Sequence, residues 1–272
     1  MTALRVVRAG PRTTVQDEGR YHLAQLGVPV AGAVDRPAMH RVNAVVGNDP
    51  DAAVIESTLG DDEFEADGEV EVALGGAVPA EFIRLRAGER LRVSRATTGV
   101  YVYVAVAGGV QVAAVLGSRS RDTLSGLGPP LLRAGDVLPV GAGLARSAVA
   151  VQPHVLGLGG GPIAVFPGPH LDLLPAAAFA SFVAGEWTVT PAADRVALRL
   201  SGPVIESGIG GIDSEGLVPG AVQLLPDGQP VVFLANHPVT GGYPVIAVVA
   251  HAELSRVAQA RPGANLRFQP WS

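Results

Sequence analysis

Cysteine and lysine are both absent from this 272-residue chain, so all 20 basic side chains are arginine. Without a thiol there is no disulfide, no thiolate metal site and no cysteine nucleophile. Without an ammonium there is no Schiff-base lysine, no phosphate-loop lysine and no covalently biotinylated lysine. Aromatic residues are scarce at 5%, charged residues make up 17%, and the net charge is −5. A negative balance disfavours a general surface for nucleic acid or acidic membrane. Neither a leader-length apolar core near Met1 nor an apolar run long enough to span a bilayer is present, so a soluble cytoplasmic protein is expected.

What is abundant is punctuation. With 35 glycines and 22 prolines, and no collagen period, the chain is expected to turn often between short strands. Hydrophobic residues reach 48%, enough for a sizeable core or two smaller lobes. The segments Glu69–Leu74 and Val100–Val106 alternate β-branched, aromatic and other side chains as strands do. Shorter apolar runs at Ala164–Phe166, Val196–Leu200, Val231–Leu234 and Pro244–Val249 extend the pattern. Pro226-Asp227-Gly228 reads as a turn between two of them.

Three helices are predicted. One spans about Arg36–Val46, with Asp35 as cap, Pro37 in the first turn and Gly47 beyond the end. The others span Pro175–Val183 and Ala252–Ala260. Few helices among many strands give an α+β, mainly β class with two β-rich lobes, 1–156 and 157–272, divided near the glycine run at 157–161. That run, continued to Pro162, lacks the last glycine of a dinucleotide fingerprint and reads as a turn. The six histidines show no short metal-ligand spacing, so no metal site is expected; His237 stands out for its polar, glycine-rich surroundings.

Three polar clusters could carry chemistry. Gln16-Asp17-Glu18-Gly19-Arg20, with the glycine-rich run to Asp35, places an arginine that can clamp an oxyanion near an aspartate that can orient it or take a proton. A solvated turn, with Asp35 as helix cap, explains the same residues. Ser118-Arg119-Ser120 offers hydroxyl and guanidinium donors suited to an anion, or a charged surface turn. Gln223, Asp227, Gln229, His237, Thr240, Gly241, Gly242 and Tyr243 form the third, where glycines permit close backbone approach and hydroxyls can line a pocket. A tight hairpin with a packed tyrosine is the plainer reading. As turn residues, Arg20 and Arg119 are expected to tolerate truncation within about ±0.5 kcal/mol of stability.

Taken in order, Gln16-Asp17-x-Gly19-Arg20, Gly27-Val28-Pro29-Val30-x-Gly32-Ala33-x-Asp35, Gly117-Ser118-Arg119-Ser120, Pro167-Gly168-Pro169-His170, Pro219-Gly220-Ala221-x-Gln223, Asp227-Gly228-Gln229-Pro230 and Thr240-Gly241-Gly242-Tyr243-Pro244 resemble one family. It is that of the C component of 5-oxoprolinase, also described as the KipI antagonist (KipA), which is similar to the A and B parts of the urea carboxylase carboxyltransferase domain. The resemblance implies a cyclophilin-like barrel, a KipI-like B component and a further A component as partners, and ATP-dependent opening of 5-oxoproline to glutamate. ATP, with Mg2+ as a candidate companion, would be used by the complex. Asp17, Arg20 and Arg119 become candidate catalytic residues. Gln16, Asp35, Ser118, Ser120, Gln223, Asp227, Gln229, His237, Thr240, Gly241, Gly242 and Tyr243 become candidate substrate-binding residues.

The chain departs from the family at Arg195-Val196-Ala197-Leu198-Arg199-Leu200, at Arg121 and at Asn236-His237-Pro238-Val239. Two other functions fit the resemblance. One is a regulator that sequesters a KipI-like kinase inhibitor. The other is half of a carboxyltransferase fed by a separate biotinylated carrier and acting on a urea-like substrate.

Overall fold

The computed structural model describes residues 2–143 and 161–271. His154, most of the glycine run at 157–161, and the lobe division drawn there lie outside the described residues. The chain divides into two compact units: Met1–His22 with Val30–Gly157, and Leu23–Pro29 with Leu158–Ser272.

The first unit is built on β1 (Ala3–Arg8), β2 (Arg12–Gln16), α1 (Arg36–Val45), β3 (Val54–Thr58), β4 (Glu63–Ala66), β5 (Val70–Gly76), β6 (Glu81–Leu85), β7 (Arg90–Arg92), β8 (Tyr101–Val106) and β9 (Val137–Pro139). One sheet runs β7-β4-β1-β9 and the other β2-β3-β8-β5-β6. Leu4, Val6, Phe64, Leu91 and Leu138 from the first sheet meet Val15, Ile55, Val72, Val102, Val104 and Val106 from the second in one core. The period of two explains how β8 serves two layers. Its valines enter that core, while Tyr101, Tyr103 and Ala105 point the other way and are also buried. α1 lies against β5 and β8. It begins where expected because the Asp35 side chain accepts from Ala38 N at 3.0 Å.

β2 would be an open sheet edge, but Arg121 N donates to Val15 O and Leu132 N to Thr13 O, so a loop covers it. That cover brings residues 117–132 beside the end of β2. The 16–20 cluster emerges at the same place.

The second unit holds β10 (Ile163–Pro167), α2 (Ala178–Ala184), β11 (Glu186–Val189), β12 (Ala197–Ser201), β13 (Glu215–Gly216), β14 (Ala221–Leu224), β15 (Pro230–Phe233), β16 (Thr240–Gly241), β17 (Val245–Val249), α3 (Leu254–Ala258) and β18 (Asn265–Pro270). Seven of these strands close a barrel in the order β10-β17-β14-β15-β12-β11-β18. Closure comes from the parallel pair β10–β18, with Ile163 opposite Phe268; the other neighbours are antiparallel. The nearly continuous apolar strands β14, β15 and β17 follow from burial on both wall faces. Ala197, Ala221, Val231, Phe233 and Val245 cluster on one face, while Leu198, Val222, Val232 and Ile246 are buried on alternate positions. Phe182 of α2 stacks on Phe268 at 4.6 Å.

The mainly β class and the closed barrel match the sequence reading. The second and third helices are shorter than expected. Leu171–Leu173 and Ala178–Ala184 replace the start expected at Pro175, and a 3-10 turn at His251–Glu253 precedes α3. Among the described residues, no helix is long and apolar enough to cross a membrane.

Candidate functional site

In the first unit the structure gathers Gln16, Asp17, Arg20, Ser118 and Ser120 around one buried carboxylate. Asp17 is 8% exposed. Its Oδ1 accepts from Gly19 N at 2.8 Å and from the hydroxyls of Ser118 (2.6 Å) and Ser120. Its Oδ2 accepts from Arg119 N at 2.6 Å, and Asp17 N donates back to Ser120 Oγ. Charge-assisted bonds of this kind are the strong ones, so Asp17 clamps the 117–120 turn to the end of β2. Ala33 N donates to Asp17 O, which ties the glycine-rich run into the same knot.

Arg20 departs from its expected place in a surface turn. It is 2% exposed, with Nε on Val115 O at 2.9 Å and Nη2 on Ser120 O. Burial pulls its pKa down, against the opposing pull of the Asp17 and Asp122 charges. Gly128 makes room for it. That residue sits at φ +85°, and a Cβ there would lie 2.0 Å from Ser120 O and 2.8 Å from Arg20 Nη2. Gln16 is fully buried and donates Nε2 to Thr14 Oγ1 and Arg121 O. Arg119 is half-buried, its Nε on Val112 O at 2.9 Å and its Nη2 on Gln111 Oε1 at 3.2 Å.

Asp35 is fully buried as the cap of α1, and its N–H donates to the Tyr103 hydroxyl at 2.8 Å. That hydroxyl donates in turn to Glu56 Oε2 at 2.7 Å, which also accepts from Val34 N. Tyr103 is held well above its ordinary pKa, first by burial and then by the Asp35 charge. In the sequence, its place in an apolar alternation hides this role.

The second unit separates its sequence cluster into two parts. Asp227 and Gln229 form the β14–β15 hairpin: Gln229 N donates to Asp227 Oδ1, and the Gln229 amide bonds both backbone groups of Gly202. His237 is buried and donates Nδ1–H to Pro238 O at 2.7 Å.

Gln223, Thr240, Gly241, Gly242 and Tyr243 belong together. β13 and β16 pair as a small ribbon, with Glu215 opposite Gly241 and Gly216 opposite Thr240. Gln223 Nε2 donates to Tyr243 O at 2.9 Å. A Cβ on Gly241 would lie 2.6 Å from that same Nε2, so glycine is what lets the amide approach the ribbon. Thr240 and Tyr243 are exposed.

Sequence reasoning missed the partner of this ribbon. His170, 8% exposed, points Nε2 at Glu215 Oε2 at 3.0 Å. The ladder between β14 and β17 slips between Val222 and Gln223, and beside this bulge Val245 N donates to His170 Nδ1 at 2.9 Å. A histidine 45 residues from its carboxylate carries no local spacing signal, so only the barrel's topology reveals the pair. Among the described residues no group of three or more His, Asp or Glu side chains is arranged to hold a metal ion.

Residues 26–270 match the family model of the carboxyltransferase domain, subdomain A and B. The chain is 36% identical to the C subunit of 5-oxoprolinase from Escherichia coli K12, over 97% of this chain and 90% of that one. It is 30% identical to the Haemophilus influenzae protein of the same name, over 95% and 88%. The solved structure of TTHA0988 superposes with a TM-score of 0.90 at 31% identity, over 99% of this chain and 56% of that one. The K. lactis urea amidolyase superposes at 0.87 and 28% identity, again over 99% of this chain but 19% of the larger protein. The chain belongs to the family of the carboxyltransferase domain, subdomains A and B.

Proposed function

We propose that the chain is the C component of an ATP-dependent 5-oxoprolinase, working with a KipI-like B component and an A component to convert 5-oxoproline to glutamate in the cytoplasm. The observation that carries this reading is the 36% identity to the E. coli C component over nearly the whole of both chains. Membership of a multi-chain enzyme also accounts for an incomplete catalytic set here, since no lysine or cysteine can serve as nucleophile.

The residues also bear on where ATP binds. Arg20 and Arg119, the cations expected to bind an anion, and the neighbouring Arg121 have their guanidinium groups on backbone carbonyls of Val115, Ser120, Val112, Gly126 and Gly128. These side chains do not form a phosphate cradle. ATP, with Mg2+ as a candidate companion, is used by the complex as a whole, and this chain's part includes binding and positioning the lactam. The exposed Thr240 and Tyr243 are the hydroxyls placed to meet substrate. The Asp17 knot supports the Arg119 turn.

A second reading, half of a biotin-dependent carboxyltransferase, is favoured by the likeness to the K. lactis urea amidolyase. Biotin would then ride on a separate carrier. The two are separated by supplying the chain and its partners with ATP and either 5-oxoproline or urea plus a biotinylated carrier. ATP-dependent glutamate without urea carboxylation is expected. Carboxylated urea without glutamate would overturn the proposal.

A further inference from the structure

The His170–Glu215 pair is built in a direction that determines which partner can react. The Val245 N–H occupies the Nδ1 lone pair of His170, so the neutral ring carries its proton on Nε2 and donates it to Glu215. Taking up a second proton would break the Val245 bond. His170 is thus a fixed donor, with a side chain only 10% exposed, whereas the Glu215 side chain is 60% exposed. One carboxylate oxygen is anchored and the carboxylate as a whole faces outward. The ribbon sets it opposite Gly241, on the face that Gln223 approaches.

We infer that Glu215 is the proton-transfer carboxylate of the substrate-binding face in the second unit, with His170 as its positioning residue. The inference rests on the lactam-hydrolysis reading above and assigns a residue to it. In the step, ATP bound by the complex gives its terminal phosphoryl group to the lactam oxygen, releasing ADP and the proton on nitrogen. Water then loses a proton to Glu215 as its oxygen bonds to the lactam carbonyl carbon, the carbon–nitrogen π pair moves to nitrogen, and nitrogen takes the proton held by Glu215. The new hydroxyl passes its proton through Glu215 to the departing nitrogen as the carbon–nitrogen single bond breaks, and a second water releases phosphate from the acyl phosphate left behind. Two waters and one ATP are consumed, the ring opens to an amino acid, and Glu215 is restored as carboxylate.

An exposed ion pair that only fastens the ribbon is the simpler alternative. Glu215→Gln distinguishes the two, because its amide oxygen still accepts the His170 Nε2–H while the base is gone. The titratable groups to be accounted for are His170 on the β10–α2 connection, Asp213 two residues earlier, and Tyr243 beyond β16.

The experiment measures 5-oxoproline hydrolysis by the assembled three-component complex from pH 4.5 to 9, wild type against Glu215→Gln and His170→Gln. The expected result for Glu215→Gln is a kcat about 100-fold lower or less still, with KM little changed and the acid limb of the pH profile lost. His170→Gln keeps a donor but no ring nitrogen for Val245, so its loss is smaller and its acid limb is displaced. An active wild-type complex whose rate and pH profile Glu215→Gln reproduces overturns the inference alone. A wild-type complex that leaves 5-oxoproline untouched overturns the function and this inference with it.

Discussion

A carboxylate that accepts four hydrogen bonds is chemically different from one that faces water. Asp17 is of the first kind, with two backbone N–H groups and two serine hydroxyls on its oxygens. The sequence shows an acid beside an arginine and suggests a reacting pair; the structure gives both groups inward tasks. This difference separates two arginines that look alike in the sequence. Arg20→Ala removes a buried cation and leaves the carbonyls of Val115 and Ser120 without it, so a loss of about 2–4 kcal/mol is expected. Arg119→Ala removes a half-buried side chain while its backbone N–H keeps its place on Asp17, and a loss under about 1 kcal/mol is expected. Urea denaturation of the two variants checks this. Equal midpoints would show that Arg20 is not the structural member of the pair.

At the scale of elements, the local pattern was readable and the long-range pairing was not. The alternation in Val100–Val106 pointed to β8, and Asp35 with Pro37 marked the start of α1. Neither told that Tyr103 would reach across to the helix entry, because that depends on β3 lying next to β8 and on α1 covering both β8 and β5. The Ser118–Asp17 contact, 101 residues apart, was hidden for the same reason. The third helix came out short because His251–Glu253 winds as a 3-10 turn first. The Tyr103 junction has its own signature. Its hydroxyl titrates above the ordinary 10.0, so the unfolded chain loses this proton first as pH rises. The stabilisation is complete below about pH 10 and declines above it. Tyr103→Phe should therefore cost about 1–3 kcal/mol at neutral pH, by stranding Asp35 N and one acceptor on Glu56. It should also flatten the alkaline decline between about pH 9.5 and 11, measured by thermal melting. A parallel decline in wild type and variant would mean that Tyr103 is not the group responsible.

At the scale of the molecule, two β-rich units each carry a polar assembly, but of different kinds. In the first, the candidate catalytic residues Asp17 and Arg20 are both fastened to the segment from Val115 to Ser120, while in the second Glu215 faces outward from a barrel-anchored histidine. The polar clusters were visible in the sequence; which of them points outward was not, since burial follows from sheet order and loop cover. The E. coli and H. influenzae relatives are named as subunits of 5-oxoprolinase, and the proposal that this chain is one part of a larger catalyst rests on them. The most direct measurement is glutamate formation from 5-oxoproline and ATP by the complete mixture of components, compared with the same mixture lacking only this chain. The account predicts ATP-dependent glutamate in the complete mixture and none above background in the other. Equal rates in both would contradict it.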